Sequence, residues 1–294
     1  MNVSKLKIYL KESIRMLGNN FYYLSHPFDE YININTWAHI KHGVLQHDNF
    51  GDELNVYLIE GLTGKKVKLY NSHFHLPQKN YLVIGSLIER YSNKLTIIWG
   101  SGVIIGEDEP LRNRPMKVTA VRGKKSREYL LQHGVECPEV YGDPALLVPT
   151  IYNPELSIKW GVGVIPHVND LNNPLFKQME ERGDVHIIRF KDYSDWHIVI
   201  DEIKQCRIIF SSSLHGLILS DAYGIPNMWI SVSNNIIGGD FKYLDYFSGV
   251  GRETTNPVRI GFNTNIDDLI EQAVEQYKPI TFDKEVLLKA CPFL

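Results

Sequence analysis

The stretch Arg207-Ile208-Ile209-Phe210-Ser211-Ser212-Ser213-Leu214-His215-Gly216, continued through Leu217 to Tyr223, Gly224-Ile225-Pro226 and Asn227 to Ser231, reads as strand, helix and strand. An apolar run rich in β-branched residues stops at three serines, a helix-length segment follows, and Gly-Ile-Pro turns the chain into a second such run. Two strands joined through a helix lie parallel, and the ligands of parallel sheets bind beyond the carboxyl ends of the strands. Ser211, Ser212, Ser213 and His215 fall at that place, on the first turn of a helix. Free N–H groups, the helix dipole and the hydroxyls can hold an anion there. A protonated His215 adds charge and can serve as a general acid. The same string also describes a serine-capped helix with a structurally satisfied histidine, so it settles the fold before the chemistry.

Outward from this unit the alternation continues. Trp160 to Ile165 and Val185 to Phe190 read as strands, Asn173 to Arg182 and Asp195 to Cys206 as helices, and Ile266 to Tyr277 as a closing helix. Earlier in the chain, Glu53 to Leu62 is a helix, and Lys66 to Tyr70, Tyr81 to Ile84, Leu95 to Trp99 and Val118 to Val121 are strands. A helix from Lys124 to about His133 ends at Gly134, where a C-terminal glycine belongs. The Pro-containing stretch from Pro149 to Pro154 is the linker candidate. The pattern predicts two α/β, Rossmann-like domains, 1–152 and 153–294, with the closing helix free to return to the first. Residues 19–48 show little periodicity and read as irregular structure leading into a short strand near Gly43 to Gln46.

The other strand-end loops are where further chemistry is expected. Asn49-Phe50-Gly51-Asp52 offers a glycine turn and a carboxylate, Asp52, suited to be a base or a helix cap. Gly100-Ser101-Gly102 follows a buried strand, Arg122 stands at the end of another, and His167 follows a third. A guanidinium at Arg122 can hold a carboxylate or phosphate bidentately.

Composition narrows the classes. The chain has 294 residues, 44% hydrophobic and 22% charged, with a net charge of −3, which excludes wholesale disorder and gives no global field for nucleic acid. Three scattered cysteines form no disulfide framework and suit a reducing cytoplasm. No GxGxxG follows a strand, and neither GxxxxGK[ST] nor GxSxG occurs, which disfavours nicotinamide cofactors, a P-loop and a hydrolase elbow. His73 and His75, and His39, His42 and His47, lack the complement of a recognisable metal site, so none is expected. Val3, Leu6, Leu10, Ile14 and Leu17, with Lys5, Lys7, Lys11 and Arg15, make an amphipathic N-terminal helix. Its apolar stripe either docks on its own domain or lies on an anionic membrane surface.

Taken together, Trp99-Gly100-Ser101-Gly102, Ala120-Val121-Arg122-Gly123, Tyr141-Gly142-Asp143-Pro144, Ser211 to Gly216 with Leu217 to Pro226, and Phe241-Lys242-Tyr243-Leu244-Asp245-Tyr246 follow the order found in polysaccharide pyruvyl transferases. Asn49-Phe50-Gly51-Asp52 fits that family's Asn-x-Gly-Asp pattern. The chain resembles the family from about residue 47 to 252, most of all the bacterial enzymes that place pyruvate ketals on xanthan and succinoglycan.

The resemblance implies a GT-B-like arrangement of the two domains with the active site in the cleft between them. It also implies phosphoenolpyruvate as donor, a sugar diol of a lipid-linked oligosaccharide as acceptor, and a cyclic pyruvate ketal with released phosphate as products. No cofactor is implied. His215 takes the acid position and Asp52 or His167 that of base. Arg122, with the serines, binds the donor. Asn49, Gly51, Gly100, Ser101, Gly102 and His167 line the acceptor side. Some members carry arginine where this chain has Ser213, so a second donor cation must come from Lys242, Arg252 or Arg127. A GT-B-like glycosyltransferase using a nucleotide sugar is the alternative; it needs a ribose-binding carboxylate, and no matching Glu motif follows the Ser-Leu-His turn. A non-catalytic saccharide-binding protein is the third reading.

Overall fold

A computed structural model describes residues 3–27, 29–106, 109–233, 238–253 and 256–294, the side chains of residues 3–6 and 8 excepted. The expected roles of Val3, Lys5 and Leu6 in the N-terminal stripe therefore lie outside the described side chains.

The first half opens with α1 (Val3–Ser25), β1 (Tyr31–Ile34) and the antiparallel hairpin β2 (His39–Lys41) and β3 (Val44–Gln46). It continues through α2 (Phe50–Thr63), β4 (Lys66–Leu69), β5 (Asn80–Leu82), α3 (Ile88–Tyr91), β6 (Thr96–Trp99), β7 (Lys117–Ala120) and α4 (Lys124–Gln132). Its sheet runs β4-β1-β5-β6-β7, every described pairing parallel. The second half carries β8 (Trp160–Ile165), α5 (Pro174–Glu180), β9 (Val185–Ile187), α6 (Trp196–Lys204), β10 (Cys206–Ser211), α7 (Leu214–Ala222) and β11 (Asn227–Ser231). It closes with α8 (Phe241–Val250), β12 (Val258–Arg259), α9 (Ile266–Gln276) and α10 (Lys284–Lys289). Its sheet, β12-β11-β10-β8-β9, is also parallel throughout. Mixed α/β structure with two Rossmann-like parallel sheets is thus the architecture.

One apolar core serves both sheets. Ile34, Phe50, Leu54 and Trp99 of the first half are continuous with Ile165, Ile209, Leu214 and Trp229 of the second. The outer face of the second sheet has a core of its own, where Leu269 and Ala273 of α9 cover Val162, Phe210 and Ile230. The closing helix does not return to the first half, because its apolar stripe is used there. That crossing is made by α10 and the tail beyond it. The Trp99 indole N–H donates to Leu287 O at 2.9 Å, and Phe293 packs edge-on against Tyr81 with centroids 4.6 Å apart.

Helix α8 joins the halves. Its Asp245 forms a fully buried ion pair with Arg122 (Nε to Oδ2, 2.9 Å) and accepts the Ser126 N–H at 2.7 Å. On the other side, Tyr243 Oη donates to Ser212 O and Tyr246 Oη to Asp221 Oδ2, both at 2.7 Å. The backbone of α8 comes so near the β7 turn that a Cβ at Gly123 would lie 1.7 Å from Asp245 O. Only glycine fits.

Helix α1 docks by its polar side. Asn19 Nδ2 donates to Ile40 O and Ser72 O, and Asn20 Nδ2 to Phe74 O. Leu10, Ile14, Leu17, Phe21 and Leu24 all face solvent, each more than half exposed. Of the two expected fates of the stripe, docking on its own domain is therefore not the one adopted. Among the described residues, no helix is long and apolar enough to cross a membrane.

Candidate active site

Three helix N-termini meet at a cavity of about 390 Å³ between the sheets. The first turn of α2 supplies Asn49 and Asp52, that of α7 supplies Ser213 and His215, and that of α8 supplies Lys242. Their dipoles add positive potential at one place, so the cavity favours an anion before any side-chain charge is considered. His167, after β8, completes the wall, and Gly85, Ser86, Trp37, His39 and Arg90 line it from the first half.

The turn into α2 is held by its own side chains. Asn49 Oδ1 accepts from Gly51 N at 3.3 Å, its Nδ2 donates to Asp52 Oδ2 at 2.7 Å, and Glu53 Oε1 accepts the Asn49 N–H at 2.8 Å. Glu53 is in turn held by His47 Nδ1 at 3.1 Å and by the Tyr193 hydroxyl. Phe50 N donates to Phe190 O at 2.8 Å, which ties this turn to the second half. Asp52 is thereby fixed facing the cavity. Burial, reinforced by the Glu53 carboxylate, pushes its carboxyl up to about 7, although Asn49 and Lys242 pull the other way.

His215 presses against this turn. A Cβ at Gly51 would lie 2.0 Å from its Nδ1, and its Nε2 is buried with no partner. Burial first, then the Arg122 and Lys242 cations and His167, push the imidazole down to about 3, so it is neutral in the free protein. Burial and Lys242 likewise lower His167 to about 4. Lys242 lines the cavity and makes no ion pair among the described residues. Burial and the Arg122 charge lower its ammonium to about 8.

Several expected site residues lie elsewhere. Arg122 has no exposed surface: besides Asp245 it donates through Nη1 to Ser86 Oγ at 2.6 Å and through Nη2 to Val103 O at 2.8 Å. Its donors are spent on the protein, where it anchors α8 and so places Lys242. Arg252 is held by Asp221 (3.0 Å) and Asn227 (2.8 Å) on a different cavity, and Arg127 by Glu139 (3.2 Å) and Cys137 O (3.1 Å). Neither lines the cavity between the sheets. Ser211 is buried, its Oγ lying between Ile165 O and Ser213 N. Ser212 Oγ accepts the His167 N–H at 2.9 Å and so positions that residue instead of a ligand. Of the three serines, Ser213 alone lines the cavity. The loop after β6 is also a support: Gly100 closes on Pro144, Ser101 Oγ donates to Gly85 O at 2.7 Å, and Gly102 leaves room for the Arg122 guanidinium.

Gly85 and Ser86 line the cavity without having been expected there from sequence. Their signal was available, since Ile84-Gly85-Ser86 stands at a strand end just as Gly100-Ser101-Gly102 does. The pairs His73–His75 and His39–Asp48 are used locally, and among the described residues no three His, Cys, Asp or Glu side chains gather as a metal site.

Two parallel sheets, three helix N-termini and a confined set of Lys, His and Asp define a transferase-like anion cleft. The polysaccharide pyruvyl transferase family model matches residues 19–234, and the chain belongs to that family. It is a polysaccharide pyruvyltransferase. Among relatives, it is 28% identical over 227 residues to uncharacterized protein L143 of Acanthamoeba polyphaga mimivirus, covering 72% of this chain and 74% of that one. It is 28% identical over 247 residues to the succinoglycan biosynthesis protein ExoV of Rhizobium meliloti, covering 78% and 69%. A crystal structure of the Klebsiella pneumoniae protein KP1_0663, described as functionally uncharacterized, aligns over 89% of this chain and 100% of its own, with 13% identity and a TM-score of 0.43.

Proposed function

We propose that the enzyme transfers pyruvyl from phosphoenolpyruvate to a vicinal or 1,3-diol of an exopolysaccharide or cell-surface glycan repeat, forming a cyclic ketal and releasing phosphate. The observation that carries this reading is the convergence of three helix N-termini and Lys242 on a neutral, unpartnered His215. A small, highly charged donor needs local positive potential and not a basic protein, which fits a net charge of −3.

The donor's phosphate and carboxylate lie against Lys242, Ser213 and the helix N-termini. Their negative charge raises the His215 pKa, so the imidazole takes up a proton as the donor binds. His215 then protonates the methylene carbon, and the adjacent carbon becomes electrophilic. The first sugar hydroxyl attacks that carbon while Asp52 accepts its proton; a carboxyl near 7 is well matched to this task at neutral pH. The C–O bond to phosphate breaks, the second hydroxyl closes the ring, and its proton leaves with the phosphate or returns to His215. Two C–O bonds form, one breaks, and the diol's two protons end on the new methyl group and on phosphate. No external oxidant or reductant enters.

In this reading the two sheets belong to a GT-B-like pair of lobes, with domains 1–152 and 153–294 and the cavity as interlobe cleft. The acceptor is lipid-linked, no cofactor participates, and the enzyme works in the cytoplasm at the membrane surface. The exposed stripe of α1, flanked by Lys7 and Lys11, supports that last point.

The test is incubation with phosphoenolpyruvate and a lipid-linked or synthetic oligosaccharide, following phosphate release and product mass. Pyruvate ketal in the product supports the proposal. Release of UDP or GDP from nucleotide sugars without use of phosphoenolpyruvate overturns it.

A further inference from the structure

A second cavity, of about 420 Å³, neighbours the first. The two share Trp37, Ala38, His39 and Arg90 among their lining residues, which places them side by side on this rim. Its chemistry differs from that of the donor cavity. Arg15, Arg90 and Arg112 line it together with several asparagines, and among the described residues no carboxylate does.

The three arginines are not equally occupied. Glu109 holds Arg90 through two parallel hydrogen bonds of 2.7 Å. Arg15 contacts Glu12 through Nη2 but keeps a buried Nε without a partner. Arg112 makes no ion pair among the described residues. Two of the guanidinium groups lining this cavity thus retain donors not used in ion pairs among the described residues. Trp37 is 48% exposed, large for an indole in a cavity wall, and Tyr91 supports it edge-on with centroids 5.3 Å apart. A half-exposed indole held rigid from one side is a platform for the C–H face of a pyranose, and neighbouring amides can meet its hydroxyls.

We propose that this second cavity is the acceptor groove and that it selects a saccharide carrying an anionic group. The sugar stacks on Trp37, and its carboxylate or phosphate lies against Arg112 and Arg15. A planar anion matches the fork of a guanidinium, which makes the contact selective as well as attractive. The diol that reacts is then the part of the chain projecting past Trp37 and His39 toward Asp52. This inference rests on the pyruvyl-transfer reading for its reaction but not for its binding chemistry.

The experiment measures binding of three probes by saturation-transfer NMR and calorimetry: cellobiose, cellobiouronic acid and glucose 1-phosphate. Each is titrated into the wild-type enzyme and into Arg112→Ala, Trp37→Ala and Lys242→Met. Expected is a preference of about tenfold for at least one anionic probe over cellobiose, lost in Arg112→Ala and kept in Lys242→Met. Which anionic probe is preferred distinguishes a uronate from a sugar phosphate. Trp37→Ala weakens neutral and anionic probes alike, and Trp37→Phe restores part of the affinity. Equal binding of neutral and anionic probes, an anion preference that survives Arg112→Ala, or no binding of any probe at millimolar concentration overturns the proposal. Arg112 is exposed, so its replacement leaves the fold intact, checked by circular dichroism. If the anionic probes bind as expected but phosphoenolpyruvate is never consumed, the groove stands and the pyruvyl-transfer reading falls.

Discussion

Gly51 lies against the imidazole of His215 with no space for a side chain: a Cβ there would sit 2.0 Å from Nδ1. The N-terminus of one helix thereby fixes the ring at the N-terminus of another. Gly51→Ala is expected to displace the imidazole and lower kcat by about 10²-fold, the scale of an ångström-size misplacement of a reacting group. Thermal denaturation and steady-state rates on the same sample separate this from unfolding. Turnover within twofold of wild type would refute the positioning role.

Lys242 sets a pH limit on donor binding. Its ammonium is lowered to about 8, so the cation is present below that pH and disappears as pH rises through it. Donor KM should therefore climb above pH 8, by about tenfold for each charge-assisted hydrogen bond that the neutral amine no longer makes. Lys242→Arg stays charged and should flatten this rise, whereas Lys242→Met should show weak donor binding at every pH. Initial rates from pH 6.5 to 9.5 provide the check.

The neutral state of His215 predicts proton uptake. Its pKa lies near 3 in the free protein, and the donor's negative charge must raise it before it can act as an acid. Calorimetry of donor binding at pH 7 in buffers of different ionisation enthalpy should show a proton taken up, with less uptake in His215→Gln. The same depression bears on stability. Between pH 6.5 and 3 the unfolded chain protonates this imidazole and the folded chain does not, so its contribution to stability falls as pH falls. His215→Gln should therefore lose less stability than wild type loses when both are acidified through that window.

Asp245→Ala leaves the Arg122 guanidinium buried and uncompensated, which typically costs about 3–5 kcal/mol. The urea midpoint should drop accordingly. In Arg122→Met the stability loss should be smaller, because the Asp245 carboxylate left behind keeps the Ser126 N–H and hydroxyl and can take up a proton, whereas a guanidinium cannot shed its charge. Donor KM is expected to change in both through movement of Lys242. A variant of Arg122 that lost donor affinity with α8 undisturbed would show that the guanidinium reaches the ligand after all.

The α1 stripe should bind membranes. Phe21→Asp together with Leu17→Asp is expected to abolish co-sedimentation with vesicles containing anionic lipid and to leave turnover on a soluble acceptor unchanged. Binding that is the same for neutral vesicles would point to apolar attraction alone. A concentration-dependent dimer, absent in the same variant, would instead mark the stripe as an interface between two copies.

How far the sequence can be read depends on which kind of information each element carries. The unit from Cys206 to Ser231 was legible because period, serine stop and Gly-Ile-Pro turn agree on one structure. β1 was not, although it lies inside the first sheet: Tyr31-Ile32-Asn33-Ile34 is four residues long, and its pairing with Lys66–Leu69 is a long-range fact. The helix from Phe241 to Val250 was visible only as a motif, since its aromatic residues face two neighbours at once and leave no clean polar side. In the site, Asp52, His215, His167, Asn49 and Ser213 were found by their place at strand and helix ends and Lys242 through the motif that carries it, and they do meet. Arg122 misled for a physical reason. A strand-end arginine looks the same in sequence whether its partner is a ligand or an aspartate 123 residues away.

The attachment of α8 to both sheets has a consequence for how substrates come and go. Opening the cleft like a hinged jaw would pull Asp245 from Arg122 and draw Tyr243, Tyr246 and Phe247 out of the shared core. Each of those losses costs several times thermal energy, about 0.6 kcal/mol, so the opened arrangement is disfavoured at equilibrium. Traffic through the site is then left to the rim, with the hairpin around His39 and the turn after His167 as its gateposts. Pinned to both sheets by α8, the chamber is closed at its base and meets solvent at that rim.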